Sequence, residues 1–493
     1  MATGRSVSVI LLHAALIVAS TAHAAEYFVD PDHGDDANPG SREEPFRSLL
    51  PAAHPLAAGD TVILRKGTYA ASVAWSGNGT ASNPIVLRSE SKDEATILAA
   101  RWQLKSTHHL ILEDLVFQDC PGPALLIGPD ASDVIIRRCR FQNCPPPDSE
   151  PYEKAIFVEG TGNHRIHIED NVFERPYDPI VGSSYVERAE SVNNAEGNQF
   201  WVFKGNKVSG YFLGIQLGIG ARGDPPAYSL IESNEFFDCN EGVHVKTADN
   251  VVRGNFIHDM RWGYLGPGHG IYLRGGERSV VENNRIERAG WAGIRVNGDH
   301  HVIRNNLITE TPVGVWLPNH TYGGAGRSIW IVHNTVTGAM LPVWIESAAK
   351  AHVFNNIFSA DQERPTGIFV AGWGMTNPME SWNSAWYRHM AGKNDESGRL
   401  NADYNLFHNV PVPAYDWLHG QDPKWHRFYE IYGAHNRQAA PRFRDSENGD
   451  FRLADNSPAR AAGRTLPNCP ADIRSRPRPA EHPDLGAYQG GLD

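Results

Sequence analysis

Lys246 and Arg274 are the two residues whose types and spacing best fit a chemical role. Each ends a five-residue segment that begins with glycine and then alternates apolar and polar residues, the pattern of a half-buried strand. If the two segments stack on neighbouring coils of a solenoid, the cationic side chains lie about 4.8 Å apart. Like charges opposed across strands cost roughly 0.2–1 kcal/mol. A sequence that keeps such a pair is therefore predicted to use it to bind an anion.

These two cations also have complementary uses in proton transfer. A lysine beside another cation has its pKa lowered from about 10.4 toward the range that suits a general base. An arginine can hold a carboxylate through two parallel hydrogen bonds. The pair therefore predicts a base, Lys246, next to a carboxylate-binding group, Arg274. The alternative is a solvated positive stripe, since exposed lysines and arginines usually form one.

A third segment of the same pattern, also led by glycine, lies at 293–297. Together the three glycine-led segments place other polar residues beside the cations. Their aliphatic residues are expected to face a core, and the remaining side chains are expected to point to solvent in two parallel columns. One column contains His244, Tyr272 and Arg295, and the other contains Lys246, Arg274 and Asn297.

Further candidates flank the two columns. Trp316 and Trp344 extend the first column, either as a stacking platform for sugar rings or as aromatic residues covered by the C-terminal part of the chain. Glu241, five residues before Lys246, is either a hard oxygen ligand for calcium or a carboxylate in a surface turn. His269 lies in a Gly-His-Gly motif similar to one of β-helical polygalacturonases, but the paired aspartates that hydrolysis needs are absent from the preceding segments.

The elements that must position these residues follow from a repeat between Asn171 and Asn356. Asparagine, any residue, and then Val, Ile or Phe recurs at spacings of 21 to 35 residues. Spacings near 22 residues correspond to one coil of short strands, and longer ones to coils with inserted loops. Asparagines at the corners of such coils are expected to stack as a ladder, at positions that tolerate a left-handed backbone. The predicted fold class is all-β, a right-handed parallel β-helix, because a β-propeller would need longer repeats with four strands in each.

Three regions are predicted along the chain. Residues 1–24 have the arginine, apolar run and small-x-small motif of a secretory signal peptide. Residues 25–360 are expected to form the β-helical catalytic domain with an N-terminal cap, and residues 361–493 irregular C-terminal loops, a last coil and a cap. The protein is expected to be secreted or periplasmic, to lack a membrane span and to be a monomer. Its five cysteines, none in a CxxC motif, fit core residues or a single disulfide and not a metal site.

The overall charge limits the class of partner. The chain has 45 lysines and arginines and 57 aspartates and glutamates, and loss of one arginine with residues 1–24 changes its net charge from −12 to −13. Such an acidic protein is not expected to bind nucleic acid. An acidic polysaccharide would require a local basic patch, which the two columns supply.

Most of residues 55–340 resembles the chondroitinase B and alginate lyase family, polysaccharide lyase family six. The resemblance implies that Lys246 is the Brønsted base, that Arg274 neutralises the substrate carboxylate and acts as the acid, and that Glu241 binds calcium. Two positions depart from the family pattern, since Cys239 stands where a second glutamate is usual and Gln216 where an arginine is usual. The segments that carry the resemblance are 58–64, 77–80, 83–85, 214–218, 241–250, 271–276, 280–284, 293–296 and 301–302.

The sequence therefore predicts a secreted polysaccharide lyase that cleaves a uronic-acid polymer by β-elimination, with alginate as the first substrate and dermatan-type glycosaminoglycan as the second. Lys246 and Arg274 would be catalytic, and calcium at Glu241 is the candidate cofactor. Alternatives that stay open are a β-helical glycoside hydrolase, a uronate C5-epimerase and a non-catalytic carbohydrate-binding surface protein. The predicted substrate-binding residues are His244, Tyr272, Arg295, His269, Gln216 and Trp316.

Overall fold

The structure, a computed structural model, consists of short strands that recur three to a coil. Strands at the same position of successive coils pair in parallel and form three long sheets. This confirms the predicted all-β parallel β-helix, and no α-helix is present among the residues described. The structure describes residues 24–146, 154–176, 190–194, 198–218, 227–261, 268–318, 326–346, 351–360, 366–371, 400–409, 412–416 and 433–490.

Each regular coil passes through sheet 1, then sheet 2, then sheet 3. Sheet 1 contains Glu26–Val29, Thr61–Leu64, Ile85–Ser89, His108–Glu113, Ser132–Arg137, His164–Glu169, Val202–Lys204, Leu230–Glu232, Val251–Arg253, Val280–Glu282, Val302–Arg304, Ile329–Val332, Ala351–Phe354 and Leu400–Asp403. Sheet 2 contains Gly67–Tyr69, Ala95–Leu98, Val116–Gln118, Arg140–Gln142, Val172–Glu174, Lys207–Ser209, Glu235–Phe237, Phe256–His258, Arg285–Glu287, Leu307–Thr309, Thr335–Thr337, Ile357–Ser359, Leu406–His408 and Arg437–Gln438. Sheet 3 contains Val73–Trp75, Trp102–Leu104, Leu125–Ile127, Lys154–Val158, Glu190–Asn194, Leu213–Leu217, Glu241–Val245, His269–Glu277, Ala292–Asp299, Val313–Leu317, Leu341–Glu346, Thr366–Ala371 and Val412–Asp416.

The core lies inside the coils, where equivalent residues of successive strands stack on one another. Phe117, Phe141 and Phe173 are fully buried, with ring centroids 4.9 and 4.7 Å apart and nearly parallel ring planes. A coil spacing of about 4.8 Å is what allows equivalent aromatic rings to stack in this way. The five cysteines are also buried and unpaired, as expected for core residues.

The asparagine ladder is confirmed at the corner between sheets 1 and 2. The backbone N–H and the side-chain amide of Asn284 both donate to Asn306 Oδ1 at 3.0 Å. Asn255 donates to Asn284 Oδ1 in the same way, at 3.0 and 2.9 Å. The left-handed backbone falls on the residue before each ladder asparagine, for example Asn283 with φ 57° and Asn305 with φ 54°. The ladder supplies hydrogen-bond partners to buried amides that would otherwise be costly to leave unpaired.

A second ladder, here called the charge ladder, lies on the outer face of sheet 1, where charged residues of alternating sign occupy one register position on successive coils. Arg137 Nε donates to Glu113 Oε2 at 2.7 Å, and Arg253 Nε donates to Glu232 Oε1 at 2.7 Å. Opposite charges at neighbouring positions favour this register over a shifted one. The charge ladder consists of Arg88, Glu113, Arg137, Glu169, Lys204, Glu232, Arg253, Glu282 and Arg304.

The C-terminal part of the chain adds coils and then packs against earlier ones. Strands of all three sheets continue beyond residue 360. Leu453, Ala459 and Leu485 then cluster with Ile357 and Leu406. The division of the chain at residue 360 stays a prediction. The signal peptide also stays a prediction, because residues 1–23 lie outside the described residues. Where the chain is described, it contains no helix with the length and apolar character needed to cross a membrane.

Candidate active site

The predicted column of polar residues is confirmed on the outer face of sheet 3. Gln216, His244, Tyr272, Arg295 and Trp316 pair in register on five consecutive strands. They share this face because the alternate residues of each strand enter the core, as the period of a β-strand requires. The sequence therefore placed His244, Tyr272, Arg295 and Trp316 correctly relative to one another, and the structure adds Gln216 to the column.

Glycine is the second residue of each of these strands, where the coils approach closely. A Cβ added to Gly242 would lie 2.8 Å from the carbonyl oxygen of Gly270, and one added to Gly270 would lie 2.6 Å from that of Gly293. Both distances are too short for a real side chain. The glycines thus hold consecutive site strands in register.

The expectation that the column points to solvent is wrong for most of its members. His244 and Tyr272 are 4% exposed and Trp316 is 5% exposed, whereas Arg295 is half-buried. Trp316 belongs to a second apolar cluster outside sheet 3, in which its ring stacks on that of Trp344 with centroids 5.2 Å apart. Trp316 therefore does not form an open platform for a sugar ring. The cluster consists of Trp291, Ala292, Val313, Trp316, Leu341 and Trp344.

Lys246 and Arg274 occupy the same register position on neighbouring coils. Val245 pairs with Leu273, so the residues that follow them, Lys246 and Arg274, lie next to each other across the strands. Lys246 Nζ donates to Gln216 Oε1 at 2.8 Å. Both cationic side chains are half-buried. The Gln216 amide thus orients the Lys246 amine.

Glu241 and His244 form a buried pair that the sequence did not predict. His244 Nδ1 lies 2.5 Å from Glu241 Oε2, and Nδ1 donates because a carboxylate only accepts. Burial acts to raise the pKa of Glu241, but His244, His269 and Arg295 outweigh it and lower that pKa to about 2. Burial lowers the pKa of His244; the pairing with Glu241 acts to raise it, but Lys246 and Arg274 act in the same direction as burial and the pKa stays below its usual value. At neutral pH the carboxylate is therefore charged and the imidazole neutral.

The second nitrogen of His244 has an unusual environment. His244 Nε2 is buried and has no hydrogen-bond partner within the described part of the chain. Since Nδ1 carries the proton, Nε2 is an acceptor. Its ring lies 4.8 Å from that of Tyr272. A buried acceptor without a donor costs roughly 1–3 kcal/mol, so this atom marks a position where a donor group would be stabilised.

Arg295 is held between aromatic rings. Its guanidinium carbon lies 4.1 Å from the ring centroid of Tyr272 and 4.7 Å from that of Trp316. Arg295 Nη1 donates to His269 Nε2 at 3.2 Å. His269 in turn pairs in register with Glu241. These contacts fix a permanent positive charge next to the Glu241–His244 pair.

The described side chains around Glu241 are a poor fit to calcium. Calcium takes six to eight oxygen ligands, whereas Glu241 is surrounded by two imidazoles and a guanidinium. Cys239 directs its thiol into the core, where it is fully buried. In the described ranges no group of three or more His, Cys, Asp or Glu side chains is placed to hold a metal ion. Calcium at Glu241 thus gains no support from these residues, and it stays a prediction.

A family model and two proteins are similar to this chain in sequence. A family model for the right-handed β-helix region matches residues 190–379. The uncharacterized protein YwoF of Bacillus subtilis strain 168 is 23% identical over 504 residues, which cover 89% of this chain and 92% of that protein. The pectate lyase PEL9 of Emericella nidulans is 26% identical over 281 residues, which cover 52% of this chain and 64% of that enzyme.

Among solved structures, the PL6 family alginate lyase AlyGC is similar, with a TM-score of 0.52 and 18% sequence identity. The similarity covers 88% of this chain but 57% of AlyGC, so this chain spans little more than half of that enzyme's length. The predicted resemblance to polysaccharide lyase family six is thus confirmed at the level of the fold. The chain is a right-handed parallel β-helix protein whose coils have structural counterparts in a PL6 alginate lyase.

Proposed function

We propose that this protein is a secreted polysaccharide lyase that cleaves a uronic-acid polymer by β-elimination. The observation that carries the proposal is the placement of Lys246 and Arg274 at one register position of sheet 3, beside a third cation, Arg295. Three cationic groups on neighbouring strands suit a polymer with one carboxylate on each sugar. The signal-peptide pattern of residues 1–24 supports secretion.

The chemical step requires removal of the proton from C5 of the uronate. The adjacent carboxylate resists further negative charge until a cation neutralises it, after which the enolate that forms is stabilised where its charge develops. Arg274 is suited to this neutralisation because its guanidinium matches a carboxylate. Lys246 takes the C5 proton, and the electrons of the C–H bond form the C4–C5 double bond as the C4–oxygen bond breaks.

The departing glycosidic oxygen needs a proton. Burial raises the pKa of Tyr272, although Arg295 and Arg274 act in the opposite direction, so the phenol is protonated at neutral pH. Either Tyr272 or Arg274 can therefore serve as the donor. No step is assigned to calcium, because the described side chains around Glu241 do not provide its ligands.

Alginate is the first proposed substrate and dermatan-type glycosaminoglycan the second. The fold shared with an alginate lyase supports the first choice, and the relationship to a pectate lyase adds polygalacturonate as a polymer to test. An acidic polysaccharide is thus the proposed partner, and the proposal does not involve nucleic acid or an oligomeric partner.

The proposal is tested by incubating the purified protein with alginate, dermatan sulfate and polygalacturonate. A lyase produces an unsaturated uronate, which is measured by its ultraviolet absorbance. New reducing ends without that absorbance would identify a glycoside hydrolase. A change in sugar configuration without cleavage would identify an epimerase. Binding without any product would identify a carbohydrate-binding protein.

A further inference from the structure

The corner where the chain leaves sheet 3 for sheet 1 carries a column of residues with a left-handed backbone. Each lies two residues before a paired position of sheet 1, so neighbours in the column are adjacent across the coils. Outside glycine this backbone is uncommon, and most of all for bulky side chains. The column, here called the corner column, consists of Asp133, Arg165, Phe200, Tyr228, Asp249, Arg278, His300 and Ser328.

The aspartates and arginines of the corner column pair off across neighbouring coils. Arg165 donates two hydrogen bonds to Asp133, from Nε to Oδ1 at 2.6 Å and from Nη2 to Oδ2 at 2.7 Å. Arg278 holds Asp249 in the same way, with both distances 2.8 Å. Opposite charges on adjacent coils stabilise their register. The two coils between these ion pairs carry aromatic residues in place of charges.

These two residues, Phe200 and Tyr228, are here called the aromatic pair. Their rings stack with centroids 5.5 Å apart and an angle of 14° between the planes. They are nevertheless 47% and 49% exposed, and among the described residues Leu50 is the only other large apolar side chain that is exposed. Both have a left-handed backbone, with φ 58° and 47°. Adjacent exposed rings on a strained backbone indicate a surface that binds another molecule.

The aromatic pair is held at a fixed position near Lys246. The chain reaches the corner column three residues after Lys246, on the coil next to that of Tyr228. Three residues span at most about 11 Å, and one coil adds about 4.8 Å. The fully buried Asn250 fixes this turn, because its Nδ2 donates to Thr247 O at 3.0 Å and its Oδ1 accepts from Ser229 N at 3.1 Å. A short oligosaccharide bound at Lys246 can therefore reach the aromatic pair.

The direction of the coils separates the aromatic pair from the reacting groups. Tyr272 and Arg274 lie on the coil after Lys246, whereas the aromatic pair lies on the two coils before it. Asp249 lies between Lys246 and the aromatic pair, but Arg278 neutralises its carboxylate through two hydrogen bonds. An acidic polymer that extends toward the earlier coils thus meets apolar rings next to a neutralised carboxylate.

We propose that Phe200 and Tyr228 form a stacking platform for a sugar ring of the bound uronic-acid polymer. This assignment rests on the proposed lyase function and adds a binding subsite remote from the bond that is cleaved. One face of a sugar ring consists largely of C–H groups, which pack on aromatic rings, and rings that are already fixed lose little entropy when they bind. Because the platform touches a sugar away from the reacting bond, it affects KM on long substrates and not kcat.

The test removes both rings in the double variant Phe200→Asn/Tyr228→Asn. Asparagine tolerates a left-handed backbone, so the fold should be retained. KM for the best polymer should rise about 5–50-fold, the combined worth of two aromatic contacts, while kcat stays within about twofold of wild type. Tyr228→Phe keeps the ring and should keep the wild-type KM. Leu50→Asn, which removes an exposed apolar side chain outside the corner column, is the matched control and should also keep it.

Substrate length provides a readout that a purely structural role would not change. The double variant should cleave an oligosaccharide too short to reach the aromatic pair as well as the wild-type protein does, and the difference should appear as the substrate lengthens. An equal loss on short and long substrates would overturn the proposal. A wild-type KM on the polymer would do the same, and a lower melting temperature with that KM would show that the aromatic pair only stabilises the coils.

Oxidative footprinting of the wild-type protein tests the platform even where the double variant does not fold or the lyase function fails. Hydroxyl radicals oxidise exposed side chains, and bound alginate, dermatan sulfate or polygalacturonate should slow the oxidation of Phe200 and Tyr228 but not that of Leu50. If the protein binds a polymer without cleaving it, this protection supports the platform although the lyase function is lost. Unchanged oxidation of both rings with polymer bound, or binding of none of the three polymers, overturns the platform.

Discussion

On the outer face of sheet 1, nine charged side chains alternate in sign from coil to coil, whereas on sheet 3 two cations occupy the same register position on neighbouring coils. The spacing between coils is the same in both regions. In the charge ladder, Arg304 Nε donates to Glu282 Oε2 at 2.6 Å, and every inner member has an opposite charge on each side. In the site, Lys246 is oriented by the neutral amide of Gln216, and Arg274 lies next to it across the strands.

The two faces show different patterns of charge because one stabilises the fold and the other is available for function. Alternating charges stabilise one register of the coils, so a structural role accounts for them. Adjacent like charges work against the same register and require another reason. A bound polyanion supplies that reason, because its carboxylates would relieve the repulsion between Lys246 and Arg274.

The largest expected effect comes from removing either cation of the site. Lys246→Ala and Arg274→Ala should each lower turnover about 10²–10⁴-fold, the range for an acid–base or charge-stabilising group. Their melting temperatures should not fall, because either change relieves a repulsion. Lys204→Ala, which removes a cation from the charge ladder, is the control and should keep wild-type turnover. Near wild-type turnover in Lys246→Ala would show that Lys246 is not the base.

The next largest effect, on stability, should come from the asparagine ladder at the corner between sheets 1 and 2. Asn284→Ala removes the acceptor of two hydrogen bonds from Asn255 and the donor to Val252 O and Asn306 Oδ1. Because the groups left behind are buried, the unfolding free energy should fall by about 2–4 kcal/mol. Chemical unfolding measures this change. A loss below about 1 kcal/mol would mean that neighbouring coils adjust to satisfy those groups.

Acid should destabilise the fold through His301, which lies where the chain leaves sheet 3 for sheet 1. Burial lowers the pKa of His301 from 6.5 to about 4. The unfolded chain takes up this proton near pH 6.5 and the folded chain only near pH 4, so stability falls as the pH decreases between these values, by up to about 3 kcal/mol. His301→Asn should flatten the dependence of unfolding free energy on pH, whereas His300→Asn, at an exposed position next to it, should change that dependence much less. Identical slopes for both variants would exclude His301 as the cause.

The smallest effect is expected in the charge ladder. Glu282→Gln removes one negative charge between Arg253 and Arg304, and it should lower the unfolding free energy by about 1 kcal/mol or less, with a smaller difference at high salt. Turnover should be unchanged, in contrast to the site variants. A large loss of turnover would mean that the outer faces of sheets 1 and 3 are coupled, so that the charge ladder also contributes to function.

The repeat, the class of fold and four of the five members of the column on sheet 3 follow from local patterns in the sequence. The asparagine spacing defined the coil, and the two-residue period of each strand determined which side chains leave the core. These features depend on local geometry, which repeats along the chain. Strand periodicity therefore places His244, Tyr272, Arg295 and Trp316 on one face, and the pairing of the coils in the structure adds Gln216 to them.

What surrounds that column depends on contacts between coils, which no local pattern in the sequence specifies. Glu241 and His244 are three residues apart, a spacing that puts side chains on opposite faces of a regular strand, and they meet because Glu241 is the first residue of its strand, directly after a turn. The His244 ring lies against Tyr272 of the next coil, and the Arg295 guanidinium lies between Tyr272 and Trp316 of the two coils beside it. Strand periodicity specifies the direction of a side chain but not which neighbouring coil will cover it, so the electrostatics of the site follow from packing between coils.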